Sequence, residues 1–166
     1  MRGVVIRDAR VPDEMAAARS MFEEYAAWLD VDLCFQDFAG ELARLPGDYA
    51  PPRGCLLFAM VGDDVAGCVA LRPLASRLHG SSEMKRLYVR PSARGSGAGR
   101  GLAEAVIGRA RTIGYDEIKL DTLATMDAAR ALYASLGFRE CAAYYVNPVP
   151  GVTYLSLSLR DERSSA

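Results

Sequence analysis

Apolar and polar residues change their period repeatedly along the chain, and each change marks a new element. Residues 2–8 alternate weakly and predict a first strand. Val11-Pro12-Asp13-Glu14 then opens a helix, since proline suits a first turn and two acids meet the positive end of the dipole. Met15, Ala18, Phe22, Tyr25 and Leu29 recur at helical spacing and give it one apolar face. A shorter helix is predicted over 35–45, closed by Pro46-Gly47. The run CLLFAMV at 55–61, the turn Gly62-Asp63-Asp64 and the run 65–71 read as a hairpin. After a polar loop, 83–89 is a further strand, ended by Arg90-Pro91. Leu102, Ala105, Val106, Ala110 and Ile113 mark a helix that stops at Gly114. Ile118, Leu120 and Thr122 alternate as a strand, and 128–136 is a helix stopped by Gly137. Two last strands, 141–146 and 153–159, flank the turn Asn147-Pro148-Val149-Pro150-Gly151.

The order β-α-α-β-β-β-α-β-α-β-β combines early hairpins with later β-α-β units. It predicts an α/β fold of the α+β type, with a mixed, mostly antiparallel sheet of about seven strands and about four flanking helices. A length of 166 residues fits a single domain over 1–166.

Composition narrows the class. The chain is 51% hydrophobic and 25% charged, which excludes disordered, collagen-like and coiled-coil chains. No apolar run approaches the roughly 20 residues of a membrane span, and the first residues lack the apolar stretch of a secretory signal. The expectation is a cytoplasmic protein with no membrane partner, either monomer or homodimer. Cys34, Cys55, Cys68 and Cys141 are widely spaced and His79 is the only histidine, so no metal is expected.

The net charge of −1 conceals an asymmetry. From Glu83 to Ile113 there are seven bases and two acids, a local +5 centred on a glycine-rich loop. Charge so confined suits a small polyanion better than nucleic acid.

That loop runs Leu87-Tyr88-Val89-Arg90-Pro91-Ser92-Ala93-Arg94-Gly95-Ser96-Gly97-Ala98-Gly99-Arg100 and leads from a strand directly into a helix. Glycines allow close backbone approach, and the helix start aims N–H groups and a partial positive charge at an anion. The spacing excludes a Walker A loop, because no glycine here is followed by lysine. It excludes the Rossmann fingerprint as well, because Arg100 and Leu102 stand where the last glycine belongs.

What fits is Arg94-x-x-Gly97-x-Gly99, which resembles the pyrophosphate signature of the GCN5-related N-acetyltransferases, the GNAT family. Lys85-Arg86-Leu87-Tyr88-Val89-Arg90-Pro91 looks like that family's fourth strand. Ala128–Phe138, with its Leu132-Tyr133-x-x-x-Gly137-Phe138 run, looks like the last helix, and the element order matches over nearly the whole chain. The resemblance implies a splay between the fourth and fifth strands and acetyl transfer from acetyl-CoA to an amine. It implies that Leu87, Tyr88 and Val89 pair with the pantetheine arm, and that the amides of Arg94, Gly95, Ser96, Gly97, Ala98, Gly99 and Arg100 hold the pyrophosphate.

Direct transfer needs a deprotonated amine and a stabilised thiolate. By the resemblance, Tyr133 is the acid that protonates the thiolate; the alternative is a core tyrosine. Glu83 is the candidate base, acting through water, or else a solvated strand-end charge, and alternation puts it on one face with Lys85, Leu87 and Val89. Tyr144, Tyr145 and Asn147 are candidate acceptor contacts. Met126 replaces an asparagine common in the family seven residues before the tyrosine. Between Ser20 and Asp48 seven acids face one base, so either a cationic amine is attracted there or a helix face is simply solvated. The rival to an enzyme is a non-catalytic acyl-coenzyme A-binding sensor.

Overall fold

The computed structural model describes residues 3–74 and 80–160. His79 lies outside them. The elements are β1 (Val4–Asp8), α1 (Met15–Leu29), α2 (Phe38–Ala43), β2 (Cys55–Val61), β3 (Asp64–Pro73), β4 (Ser81–Val89), α3 (Ala98–Ile113), β5 (Glu117–Thr122), α4 (Asp127–Ser135), β6 (Arg139–Glu140) and β7 (Thr153–Ser158). The strands form one sheet in the order β1-β2-β3-β4-β5-β7-β6. All neighbours are antiparallel except β4 and β5, which the α3 crossover makes parallel.

Helices cover both faces. The amphipathic α3 buries Leu102, Val106 and Ala110 against Val69, Leu71 and Ile118, and Tyr133 of α4 joins the same cluster. On the opposite face α1 buries Met15, Ala18, Met21 and Phe22 against Phe58, Cys68 and Tyr88. No helix among the described residues is long and apolar enough to cross a membrane.

Three local expectations are corrected. The helix expected over 35–45 is divided, because Asp37 adopts φ +53° between a 3-10 turn at Cys34–Gln36 and α2. The expected alternation along β4 breaks at Arg86, which adopts φ +62°. There Arg86 and Leu87 together oppose the single residue Val69, a β-bulge. Glu83 and Lys85 therefore share one face, while Leu87 and Val89 turn to the α3 side. The third correction concerns 141–146, which is not a strand; β6 is the two-residue Arg139–Glu140, and a loop follows it. Tyr144 and Tyr145 explain this. Both bury their hydroxyls on acids of the same sheet face, whereas adjacent strand residues point to opposite faces.

Candidate active site

The glycine-rich loop presents mainly backbone. Gly97 adopts φ +86° and caps α3, a conformation that strains any residue with a Cβ. Ser96 accepts the Ala98 amide at 3.3 Å, and the Ser96 amide donates to Ala93. The amides of Gly95, Gly97, Gly99 and Arg100 have no hydrogen-bond acceptor among the described residues. Four N–H groups thus gather at one helix start, an arrangement that accepts phosphate oxygens. The Ala98 amide is taken by Ser96, and its side chain is buried in the core. Arg94 is exposed, with its guanidinium over Trp28 at 5.2 Å, and Arg100 bonds Ser135 at 2.7 Å.

A groove of about 200 Å³ lies beside this loop, lined by Leu87, Tyr88, Val89, Arg94, Gly99, Trp28, Met126, Ala128, Ala129 and Leu132. It exists because the β4–β5 ladder stops early: Ser81, Ser82 and Glu83 pair with Glu117, Ile118 and Lys119, and nothing pairs beyond them. The two strands then diverge. Backbone of Leu87–Val89 is left without a neighbouring strand on that side, open to an extended arm.

Where the strands part there is a narrow cavity of about 30 Å³, room for a water or two. Tyr133, Lys85, Arg86, Asp121, Gln36 and Met126 are among its walls. The Tyr133 ring packs edge-on to Phe138 at 5.6 Å, which fixes its direction. Its hydroxyl has no hydrogen-bond partner among the described residues. Burial, with smaller contributions from Tyr25 and Asp121, raises its pKa, so the phenol is protonated at neutral pH. Arg86 meets Glu41 through two hydrogen bonds of 2.9 and 3.1 Å. Burial opposes both charges, and their contact more than offsets it.

Glu83 is fully buried and both its oxygens are engaged. Arg72 approaches one at 2.8 Å, and Tyr144 donates its hydroxyl to the other at 2.6 Å. Neither Glu83 nor Tyr144 is among the cavity's walls. Tyr145 donates to Asp121, which Asn147 Nδ2 also bonds at 2.8 Å. The loop residues Tyr144, Tyr145 and Asn147 therefore tie β4 to β5 near where their ladder ends. Met126 places its side chain between groove and cavity, where its sulfur accepts only the Thr122 hydroxyl at 3.8 Å.

Three acids of the Ser20–Asp48 cluster meet arginines: Glu24 with Arg90, Asp37 with Arg44 and Glu41 with Arg86. The field felt by an acceptor is weaker than the count of acids suggests. The sequence reading missed Asp121, Gln36 and the isolation of Lys85. For Asp121 a signal existed, because alternation in 117–122 puts Glu117, Lys119 and Asp121 opposite the apolar Ile118 and Leu120. Gln36 had none.

A glycine-rich helix start with free amides, an apolar groove in a splayed sheet and a tyrosine at its end together place the chain in a class of α/β folds with a splayed central sheet. The model of the acetyltransferase (GNAT) family matches residues 14–138, and the chain belongs to that family. A Schizosaccharomyces pombe protein described as an uncharacterized N-acetyltransferase is 38% identical over 157 residues, covering 94% of this chain and 95% of its own. Among solved structures, yncA of Salmonella typhimurium, solved with its cofactor acetyl-CoA, superposes with a TM-score of 0.70 at 25% identity, over 96% of this chain and 95% of that one. An acetyltransferase of the GNAT family from Staphylococcus aureus Mu50 shares the fold, with a TM-score of 0.76 at 18% identity over 95% of this chain and 100% of that one.

Proposed function

We propose that this chain transfers the acetyl group of acetyl-CoA to a primary amine of a small molecule or peptide by direct attack. The observation that carries the reading is Tyr133, a buried ring whose hydroxyl is open to the cavity and has no protein partner among the described residues. The coenzyme's pyrophosphate lies on the Gly95, Gly97, Gly99 and Arg100 amides, its pantetheine arm runs along Leu87–Val89, and the thioester reaches Tyr133. The acetyl-CoA-bound neighbour supports the same donor.

The amine nitrogen bonds the acetyl carbon with its lone pair, and the carbon–sulfur bond breaks toward sulfur. Tyr133 supplies the proton that the thiolate takes up, and recovers one from the nitrogen through solvent. A buried phenol is a weak acid, but the same cavity also penalises the thiolate, so the two shift together. Glu83 is the base. A water carries the ammonium proton to the Tyr144 oxygen, and the Tyr144 proton moves on to Glu83.

Thiol release from acetyl-CoA across a panel of primary amines tests this. Release with some amine is the expected result. Tight acetyl-CoA binding without release from any amine overturns it in favour of the sensor.

A further inference from the structure

Two charges face the central cavity without a charged partner. Lys85 is 7% exposed, and its ammonium meets only the neutral amide oxygen of Gln36, at 3.0 Å. Its neighbour Glu83 is turned to Arg72 and Tyr144, and Glu41 is bound by Arg86. Asp121 likewise accepts from the neutral groups of Tyr145 and Asn147, and from no cation among the described residues. A buried ion is ordinarily paired, and Lys85 is not; Asp121 is half-buried. Here one cation and one carboxylate line the same cavity, yet Gln36 and Tyr145 stand between them: Gln36 bonds Lys85 through its oxygen and Tyr145 through its nitrogen, at 2.9 Å.

A second narrow cavity of about 30 Å³ adjoins the first across Gln36 and Met126, and Asp121 borders both. Its remaining walls are largely apolar, including Val31, Leu33, Phe35, Leu123 and Val149. The side chains dividing the two spaces are unbranched and flexible, so a ligand that displaces them joins the cavities.

We infer that the acceptor is a free α-amino acid with an apolar side chain. Its carboxylate replaces the Gln36 oxygen on Lys85, its ammonium docks on Asp121, and its side chain enters the second cavity. Two complementary charges a few bonds apart on the ligand satisfy both lone charges at once. This identification rests on the acetyl-transfer reading and narrows its acceptor. No new bond-making step is added: Asp121 binds the ammonium, and the proton leaves by the Tyr144–Glu83 path.

The test compares free α-amino acids having apolar side chains with their carboxamides and with the matching amines lacking the carboxyl group. Thiol release from acetyl-CoA should favour the acids by roughly 10- to 100-fold in kcat/KM, the worth of a charged hydrogen bond. Lys85→Met should bring the acid-to-amide ratio toward one, and Asp121→Asn should raise KM for the acids. Equal rates on acid and amide, or an unchanged ratio in Lys85→Met, overturn the inference. Calorimetry with the amino acids alone separates it from the parent reading. Acid-selective binding that depends on Lys85, without thiol release from any amine, upholds the recognition and rejects the acetyl transfer. Absence of acid-over-amide preference in binding as well as turnover rejects the recognition.

Discussion

The Tyr144 hydroxyl lies 2.6 Å from Glu83 Oε2, while Arg72 occupies the other oxygen of the same carboxylate. With both oxygens engaged, the base proposed above would act through its phenolic neighbour. Glu83→Gln should therefore lower turnover by roughly 10²–10⁴-fold at neutral pH with acetyl-CoA affinity unchanged. Tyr144→Phe should lose a comparable factor, and the double variant little more than either single one, because both interrupt one path. Steady-state kinetics and calorimetry check this; full additivity would break the relay.

Tyr133→Phe keeps the ring against Phe138 and removes only the hydroxyl. Turnover should fall by about 10²-fold or more with acetyl-CoA binding intact. A donor with a more acidic thiol should recover part of the loss, since its thiolate leaves without help. Unchanged turnover on an acceptor for which chemistry limits the rate would leave Tyr133 a packing residue.

Much of this was legible along the chain because the chemistry is local. Arg94-x-x-Gly97-x-Gly99 presents backbone amides, whose geometry follows from glycine and a helix start. Tyr133 sits on a helix whose stop, Gly137, is itself a sequence signal. The bulge at Arg86 was not legible, since an arginine at φ +62° has no compositional mark and is held there by Glu41 from another element. Asp121, Gln36 and Tyr145 meet across 109 and 24 residues of chain separation, which no periodicity reports. Tyr144 and Tyr145 looked like strand residues because aromatic residues favour strands, but buried hydrogen bonds to two acids overrode that preference.

Gly97→Ala puts a Cβ on a left-handed residue in open space, so the cost is backbone strain of about 1–2 kcal/mol and not a clash. Gly99→Glu instead sets a negative charge at the anion site. The first should weaken acetyl-CoA binding modestly and lower the melting temperature, and the second should abolish binding in a folded protein. Calorimetry and thermal unfolding distinguish them.

Glu41→Ala leaves the Arg86 guanidinium buried without its carboxylate. Such a loss costs about 3–5 kcal/mol, or roughly 6–20 °C in melting temperature at this chain length. Since Glu41 belongs to α2 and Arg86 to the bulge, the loss should reach turnover as well as stability. Thermal unfolding and thiol release measure the two.

Burial lowers the Lys85 pKa from 10.5 to about 8. Between those values the unfolded chain binds more protons than the folded one, so this lysine makes stability rise with pH across that window. Below pH about 8 its charge is carried at full cost. Lys85→Met should stabilise the protein by about 3 kcal/mol at pH 7, with the gain shrinking as pH rises toward 10.5. Melting temperatures of both proteins across that range check the sign; a gain that grows with pH would refute it.

The extra residue at Arg86 sets the tolerance of this strand to changes of length. Upstream of it Glu83 and Lys85 face the α1 side, and downstream Leu87 and Val89 face the α3 side. Removing one residue between Lys85 and Leu87 would restore plain alternation and exchange the faces of everything after it. Tyr88 would turn from the α1 face to the α3 face, and Leu87 and Val89 would turn the other way. A single-codon deletion here would rewire half the site at once, whereas a substitution alters one contact. Natural variants of this segment should therefore differ in residue identity and hardly ever in length.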